Sequence, residues 1–174
     1  RYQHPAAEMD GVKRWWPLMV TIAASRKDRA TIMDLFTEAL RLPFDGAEDA
    51  AAWTVAFEKA GHPDMAEALL NACRDRLETR GEPAVYIFPD WARFLIRQRR
   101  FEEAETFLLN RLSMIPSDAA NILLELYTAW SKLDVIGKEL PKFHLASGIE
   151  KELLFRVEQQ REAPATLPDS RPKP

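Results

Sequence analysis

The side chains able to do chemistry are few and scattered. His4, His62 and His144 stand far apart, and none belongs to a His-x-x-x-His or Glu-x-x-His pair. The single cysteine, Cys73, has no second thiol for an intrachain disulfide, and its expected place on an apolar helix stripe makes it a packed small hydrophobe. The chain has no Gly-rich phosphate loop, no Gly-x-Ser-x-Gly turn and no nucleophile beside a base. Glu102, Glu103 and Glu105 are spaced like paired carboxylates. In the first turn of a helix, however, the macrodipole favours negative charge, so they are expected to be solvated there. The chemistry on offer is that of a non-enzymatic chain without metal or cofactor.

Two clusters remain. Arg93, Arg97, Arg99 and Arg100 lie beside Tyr86 and Trp91, and Arg93 and Arg97, four apart, share one helix face. This is either a binding face or a solvated basic face balanced by Glu102, Glu103 and Glu105. Trp15 and Trp16 are adjacent and cannot both point into the same spot of one helix. One of them is therefore a candidate interface anchor, against core or capping duty for both.

These residues must be positioned by helices. Ala, Leu, Glu and Arg dominate, while Gly is scarce and Val, Ile and Thr are sparse, a balance that favours helix over sheet. A length of 174 residues suits one domain with one continuous core. A net charge of −3 gives no global pull towards nucleic acid or acidic lipid. No apolar run approaches the roughly 20 residues that span a bilayer. The first residue, Arg1, suggests a fragment or processed product, so the compartment stays open between cytoplasm and periplasm.

Residues 1–10 are expected to be a lead-in, with Asp10 as a cap. From Gly11, Val12, Trp15, Trp16, Met19, Val20 and Ala23 follow one helical face. Pro17 either kinks that helix or starts a shorter one. Ser25 and Asp28 resemble a capping box opening a second helix through Ile32 and Phe36, ended by Pro43 and Gly46. A third helix (47–60) and a fourth meet at Gly61-His62-Pro63-Asp64, and Gly81-Glu82-Pro83 closes the pair. The fifth helix begins either at Pro89, after an extended Val85 to Phe88, or near Ala84 with a bend. Helices follow from Phe101 and from Pro116, then a weak segment over Val135 to Leu140. Ser147 and Glu150 form a capping box for a last helix to about Glu162, and a Pro-rich flexible tail or linker occupies 163–174.

The stretch Asp90 to Pro116 organises the rest. Trp91, Leu95, Ala104 and Leu108 repeat the offsets of Trp53, Phe57, Ala66 and Leu70, 38 positions earlier. An internal repeat of this period signals stacked helix pairs. Residues 84 to 118 resemble a tetratricopeptide repeat. Ala92 stands at that family's small position, Leu95 at a large one, Phe101 at the opening of the second helix, Ala104 at the small contact position and Pro116 at the end of the unit. The resemblance implies an all-α domain over 11–162, built of antiparallel helix pairs stacked as a right-handed solenoid and closed by a C-terminal capping helix.

It also implies a concave groove lined by the first helix of each repeat. Tyr86, Arg93, Arg97, Asn121, Thr128 and Lys132 would then be peptide-binding positions, with Glu58 and Lys59 as neighbours. Arg93 and Arg97 would grip a carboxylate, from an acidic side chain or a chain terminus. The expected role is a protein-protein interaction scaffold whose partner is a protein or an acidic, carboxylate-bearing peptide. The alternative is a structural or regulatory helical domain of a larger enzyme or secretion component.

Overall fold

The computed structural model describes residues 6–41 and 47–162, with side chains over 15–41, 50–115 and 118–161. The Asp10 cap, the stops at Pro43 and Gly46 and the Pro-rich tail lie outside these. Every regular element among the described residues is helical. The chain divides into two compact units, Arg1–Arg100 and Phe101–Pro174. The boundary falls inside the 90–116 stretch.

The first unit holds α1 (Ala6–Ser25), α2 (Arg29–Ala39), α3 (Ala47–Lys59), α4 (Pro63–Thr79) and α5 (Phe88–Arg97). Helix α1 begins inside the expected lead-in, where Ala6, Ala7, Glu8 and Met9 are good helix formers. It runs through Pro17 rather than starting there. The cap of α2 is Asp28 itself, whose carboxylate accepts from the Thr31 amide at 3.1 Å and from its hydroxyl at 2.6 Å. The expected capping partner, Ser25, ends α1 and donates to the Ile22 carbonyl instead.

Helix α3 buries Ala50, Trp53, Thr54 and Phe57, the i, i+3, i+4, i+7 set of one face, and packs against α1 and α4. The Thr54 hydroxyl donates to the Ala50 carbonyl at 2.7 Å, so its burial leaves no orphaned donor. Helix α4 opens on Pro63 with Asp64 in its first turn, and it buries Met65, Ala66, Leu69, Leu70 and Cys73. Burial pushes the Cys73 thiol up to about 12, which fits a packed side chain rather than a nucleophile. A 3-10 turn at Ala84–Ile87 runs directly into α5, so the entry is helical from Ala84 rather than extended, and Pro89 lies in the first turn of α5.

The second unit holds α6 (Phe101–Leu109), α7 (Pro116–Ala129), a one-turn α8 (Ile136–Glu139) and α9 (Ser147–Glu162). Helix α7 packs against α6 and α9, with Ile122, Leu123, Leu126 and Tyr127 buried and Leu153 and Val157 of α9 meeting the same core. The weak segment after α7 is anchored by Ile136, Leu140 and Phe143, all buried at helical spacing. The amides of Ile149 and Glu150 both bond to the Ala146 carbonyl, so the cap position of α9 is Ala146, and Ser147, the expected cap, is its first helical residue.

One turn recurs throughout. After α1, α3, α4, α5 and α7 comes a residue at positive φ: Lys27 (56°), Gly61 (84°), Gly81 (69°), Arg99 (59°) and Ser131 (57°). The next amide donates back five positions: Asp28 to Ala23, His62 to Phe57, Arg100 to Leu95 and Lys132 to Tyr127 at 2.9 Å, and Glu82 to Leu77 at 2.8 Å. This is the Schellman ending, which satisfies carbonyls that a helix would otherwise leave without donors. Around the turns at 27, 61, 99 and 131 the packing register also recurs. Four positions before, Ala23, Phe57, Leu95 and Tyr127 are buried; five positions after, so are Ile32, Ala66, Ala104 and Ile136. The repeat seen in two segments of sequence thus has four local counterparts, spaced 34, 38 and 32 residues apart.

Candidate functional site

In the first unit Trp15 is 64% exposed, whereas Trp16 turns inward and meets Trp53 edge-on, their ring centroids 5.6 Å apart. The adjacent tryptophans therefore divide the two roles between them. Leu18 and Met19 extend the exposed apolar surface along α1. Tyr86, in the 3-10 turn before α5, is equally exposed.

Arg93 is half-buried on α5. Arg97 Nε donates to Glu58 at 2.8 Å, and Gln98 Nε2 donates to the other oxygen of that carboxylate at 2.9 Å. Glu58 was expected beside a groove. Instead its side chain is only 8% exposed and ties α3 to the end of α5. Arg100 pairs with Glu67 at 2.8 Å, and the Arg74 guanidinium lies 5.5 Å from the Trp91 ring centroid. The basic cluster is thus balanced at least in part by Glu58 and Glu67.

In the second unit Asn121 accepts from Arg156, and the Thr128 hydroxyl contacts Gln160 at 3.2 Å. Both partners belong to α9, which packs against α7. Lys132 is the remaining candidate and stands elsewhere, at the Schellman turn after α7, with Nζ 3.4 Å from the Trp130 ring centroid.

That turn borders a half-open hollow of about 430 Å³. One wall is a polar network that the sequence did not suggest. Glu105 Oε1 accepts from the Tyr127 hydroxyl at 2.6 Å and from Lys142 Nζ at 2.7 Å, while Lys142 also pairs with Glu139 at 2.5 Å. Glu105 is therefore not a solvated first-turn carboxylate. Burial pushes its pKa up, but the bonds from Lys142 and Tyr127 outweigh burial and hold it below the ordinary range. Burial and the neighbouring Glu105 raise the Tyr127 phenol well above its usual value. Lys142 is raised as well, its two carboxylate partners overcoming desolvation.

The other wall carries Trp130, on which Phe101 stacks with centroids 5.7 Å apart, together with Ser131, Lys132, Asp134 and Lys138. Glu105, Tyr127 and Lys142 are 22 and 37 positions apart along the chain, and no local motif joins them. The available signal was the apolar spacing of Ile136, Leu140 and Phe143, which fixes the segment bearing Lys142.

His62 is the residue before α4 and makes no side-chain cap bond; His144, at φ 49°, ends a 3-10 turn. No group of three His, Cys, Asp or Glu among the described residues is arranged to hold a metal ion. No described helix is long and apolar enough to cross a membrane. Comparison of the chain with protein-family models, with curated proteins and with solved structures finds no match.

Proposed function

We propose that the chain is a non-enzymatic protein-protein interaction scaffold built of tetratricopeptide-like helix pairs, presenting preformed helical faces to a peptide or a partner domain. The observation that carries this reading is the Schellman turn recurring at Lys27, Gly61, Arg99 and Ser131 with the same buried positions around it. A repeated helix-turn-helix unit builds an extended, rigid surface by stacking, and such surfaces bind without a large ordering cost. Exposed Trp15 and Tyr86 supply rigid aromatic contacts of the kind that anchor interfaces. The basic face around Arg93 suits a carboxylate-bearing partner, with Arg97 acting partly as a brace for Glu58.

The test is affinity capture with the whole chain, compared with Arg93→Glu and Trp15→Ser, each checked for folding by circular dichroism. A partner that binds the wild type, can be reconstituted from purified components and is lost by a folded surface variant supports the reading. Identical partner sets for all folded variants remove these surfaces from it.

A further inference from the structure

We propose that the outer face of α1 docks on an anionic lipid bilayer, with Trp15, Leu18 and Met19 entering the boundary between headgroups and acyl chains. This goes beyond the protein-partner reading, from which it takes Trp15 alone; the surface around Tyr86 and Arg93 keeps its role there.

Helix α1 is apolar on two sides. Val20 and Ala23 are buried and Trp16 meets Trp53, which accounts for the inner side. Trp15, Leu18 and Met19, at i, i+3 and i+4, are 64%, 47% and 43% exposed, and half-buried Ile22 at i+7 continues their stripe. A helix on the surface of a globular protein normally turns a polar face outwards. Between Trp15 and Ser25 the only polar side chains are Thr21 and Ser25, and both hydroxyls donate to carbonyls of their own helix, those of Pro17 and Ile22. The outer face therefore offers water almost nothing to bond.

The charges around this stripe are of one sign. Residues 11–29 contain Lys13, Arg14, Arg26, Lys27 and Arg29 against the single acid Asp28, five cations to one anion and a local net of +4, in a chain whose total is −3. Asp28 is committed to the cap of α2 through Thr31 and also feels Arg26. Lys27 and Arg29 are exposed and form no ion pair among the described residues. On α2, Met33 adds a further exposed apolar side chain one turn after Arg29, and Glu38 is paired with Arg41, which leaves Asp34 as the nearest other acid.

An apolar stripe bearing Trp, with cations before and after it, has the composition of a helix that lies in a membrane interface: the cations meet lipid phosphates while the apolar side chains leave water. The stripe stands on one convex helix, around which a bilayer can close without a matching groove. A second copy of the chain would set this local positive charge against itself, whereas an anionic leaflet complements it at every position along the helix.

The experiment mixes the whole chain with vesicles of phosphatidylcholine containing about 30% phosphatidylserine, or with pure phosphatidylcholine, and reads vesicle co-sedimentation and tryptophan emission. The wild type should sediment with the anionic vesicles, with its emission shifted to the blue, and bind pure phosphatidylcholine at least roughly tenfold more weakly. Trp15→Ser/Leu18→Ser should lose both signals. Lys27→Glu/Arg29→Glu should weaken binding at least roughly tenfold, as should raising the salt from about 0.1 to 0.5 M. Circular dichroism checks that each variant is folded.

Failure of the wild type to sediment with anionic vesicles overturns the proposal, and so does equal binding to the two vesicle types. Binding that a folded Trp15→Ser/Leu18→Ser variant retains removes the apolar face from it. A purified protein that the wild type binds and Trp15→Ser loses, without vesicle binding by the wild type, gives the face to that protein instead. Capture of a partner through Arg93 is measured separately, so the scaffold stands or falls independently of the lipid result.

Discussion

Arg97 donates through Nε to the carboxylate of Glu58, which lies 39 positions earlier in the chain and is almost wholly covered, at 2.8 Å. An arginine on an exposed face is thereby also a clasp between α3 and α5. Arg97→Ala should lower the stability of the chain by about 1 kcal/mol, because Glu58 keeps Gln98 as a donor and the arginine is itself part-exposed. Arg97→Glu should cost more, since it sets two carboxylates against each other. Urea denaturation followed by circular dichroism measures both, and an unchanged midpoint for Arg97→Glu contradicts the clasp.

The Glu105 network gives stability a defined pH window. The folded pKa of Glu105 lies below its ordinary 4.5, so its contribution is present above that value and is lost as pH falls through the folded pKa. Lys142 and Tyr127 are raised above their ordinary 10.5 and 10.0, so theirs is full below those values and is lost as pH rises through the folded pKa values. Cys73 acts in the same direction between 9.0 and about 12. Denaturation midpoints measured against pH should show a plateau with both limbs. Glu105→Gln should flatten the acid limb, and Tyr127→Phe the alkaline one.

The turns predict opposite effects at equivalent positions. A Cβ at Gly61 would meet nothing within 4 Å, so Gly61→Ala should be destabilising through the backbone alone, by about 1 kcal/mol at φ 84°. Arg99→Gly removes that strain at φ 59° and should stabilise by about 0.5 kcal/mol, the gain being reduced by the greater freedom of glycine in the unfolded chain. Urea midpoints moving in the same direction for both variants would contradict the shared turn geometry.

Exposed Trp15 of α1 should also separate from the core Trp53 of α3. Trp15→Ala should change stability by no more than about 0.5 kcal/mol, being exposed. Trp53→Ala should cost about 3–5 kcal/mol, because its ring is buried between Trp16 and Phe57. Thermal unfolding of the two variants side by side tests the assignment.

How much of this was legible in the sequence follows from which interactions are local. Helix faces such as Ala50, Trp53 and Phe57 were readable because a helix writes its burial at fixed spacing. Turn positions were readable at Gly61 and Gly81, where the residue type announces positive φ. They were hidden at Lys27, Arg99 and Ser131, where ordinary residues adopt the same backbone, so four related units looked like two. Asp28 was recognised as part of a cap but given the wrong partner, because the turn at Lys27 shifts the helix start by three residues. The pairings of Arg97 with Glu58 and of Lys142 with Glu105 depend on how distant helices pack, and charge alone along the chain does not choose among the available acids. Arg97 was therefore read as a receptor or as part of a solvated basic face, and Glu105 as solvated.

We propose that this chain acts by binding another protein through its exposed helical faces. The decisive experiment is amide hydrogen exchange of the whole chain, with and without a captured and purified partner. The account predicts protection confined to exposed segments, such as those around Trp15, Tyr86 to Arg93 or Ser131 to Lys142, with exchange in the cores of α3, α4 and α7 unchanged. A partner that protects none of these surfaces, or one that slows exchange only by stabilising the whole fold uniformly, would contradict it.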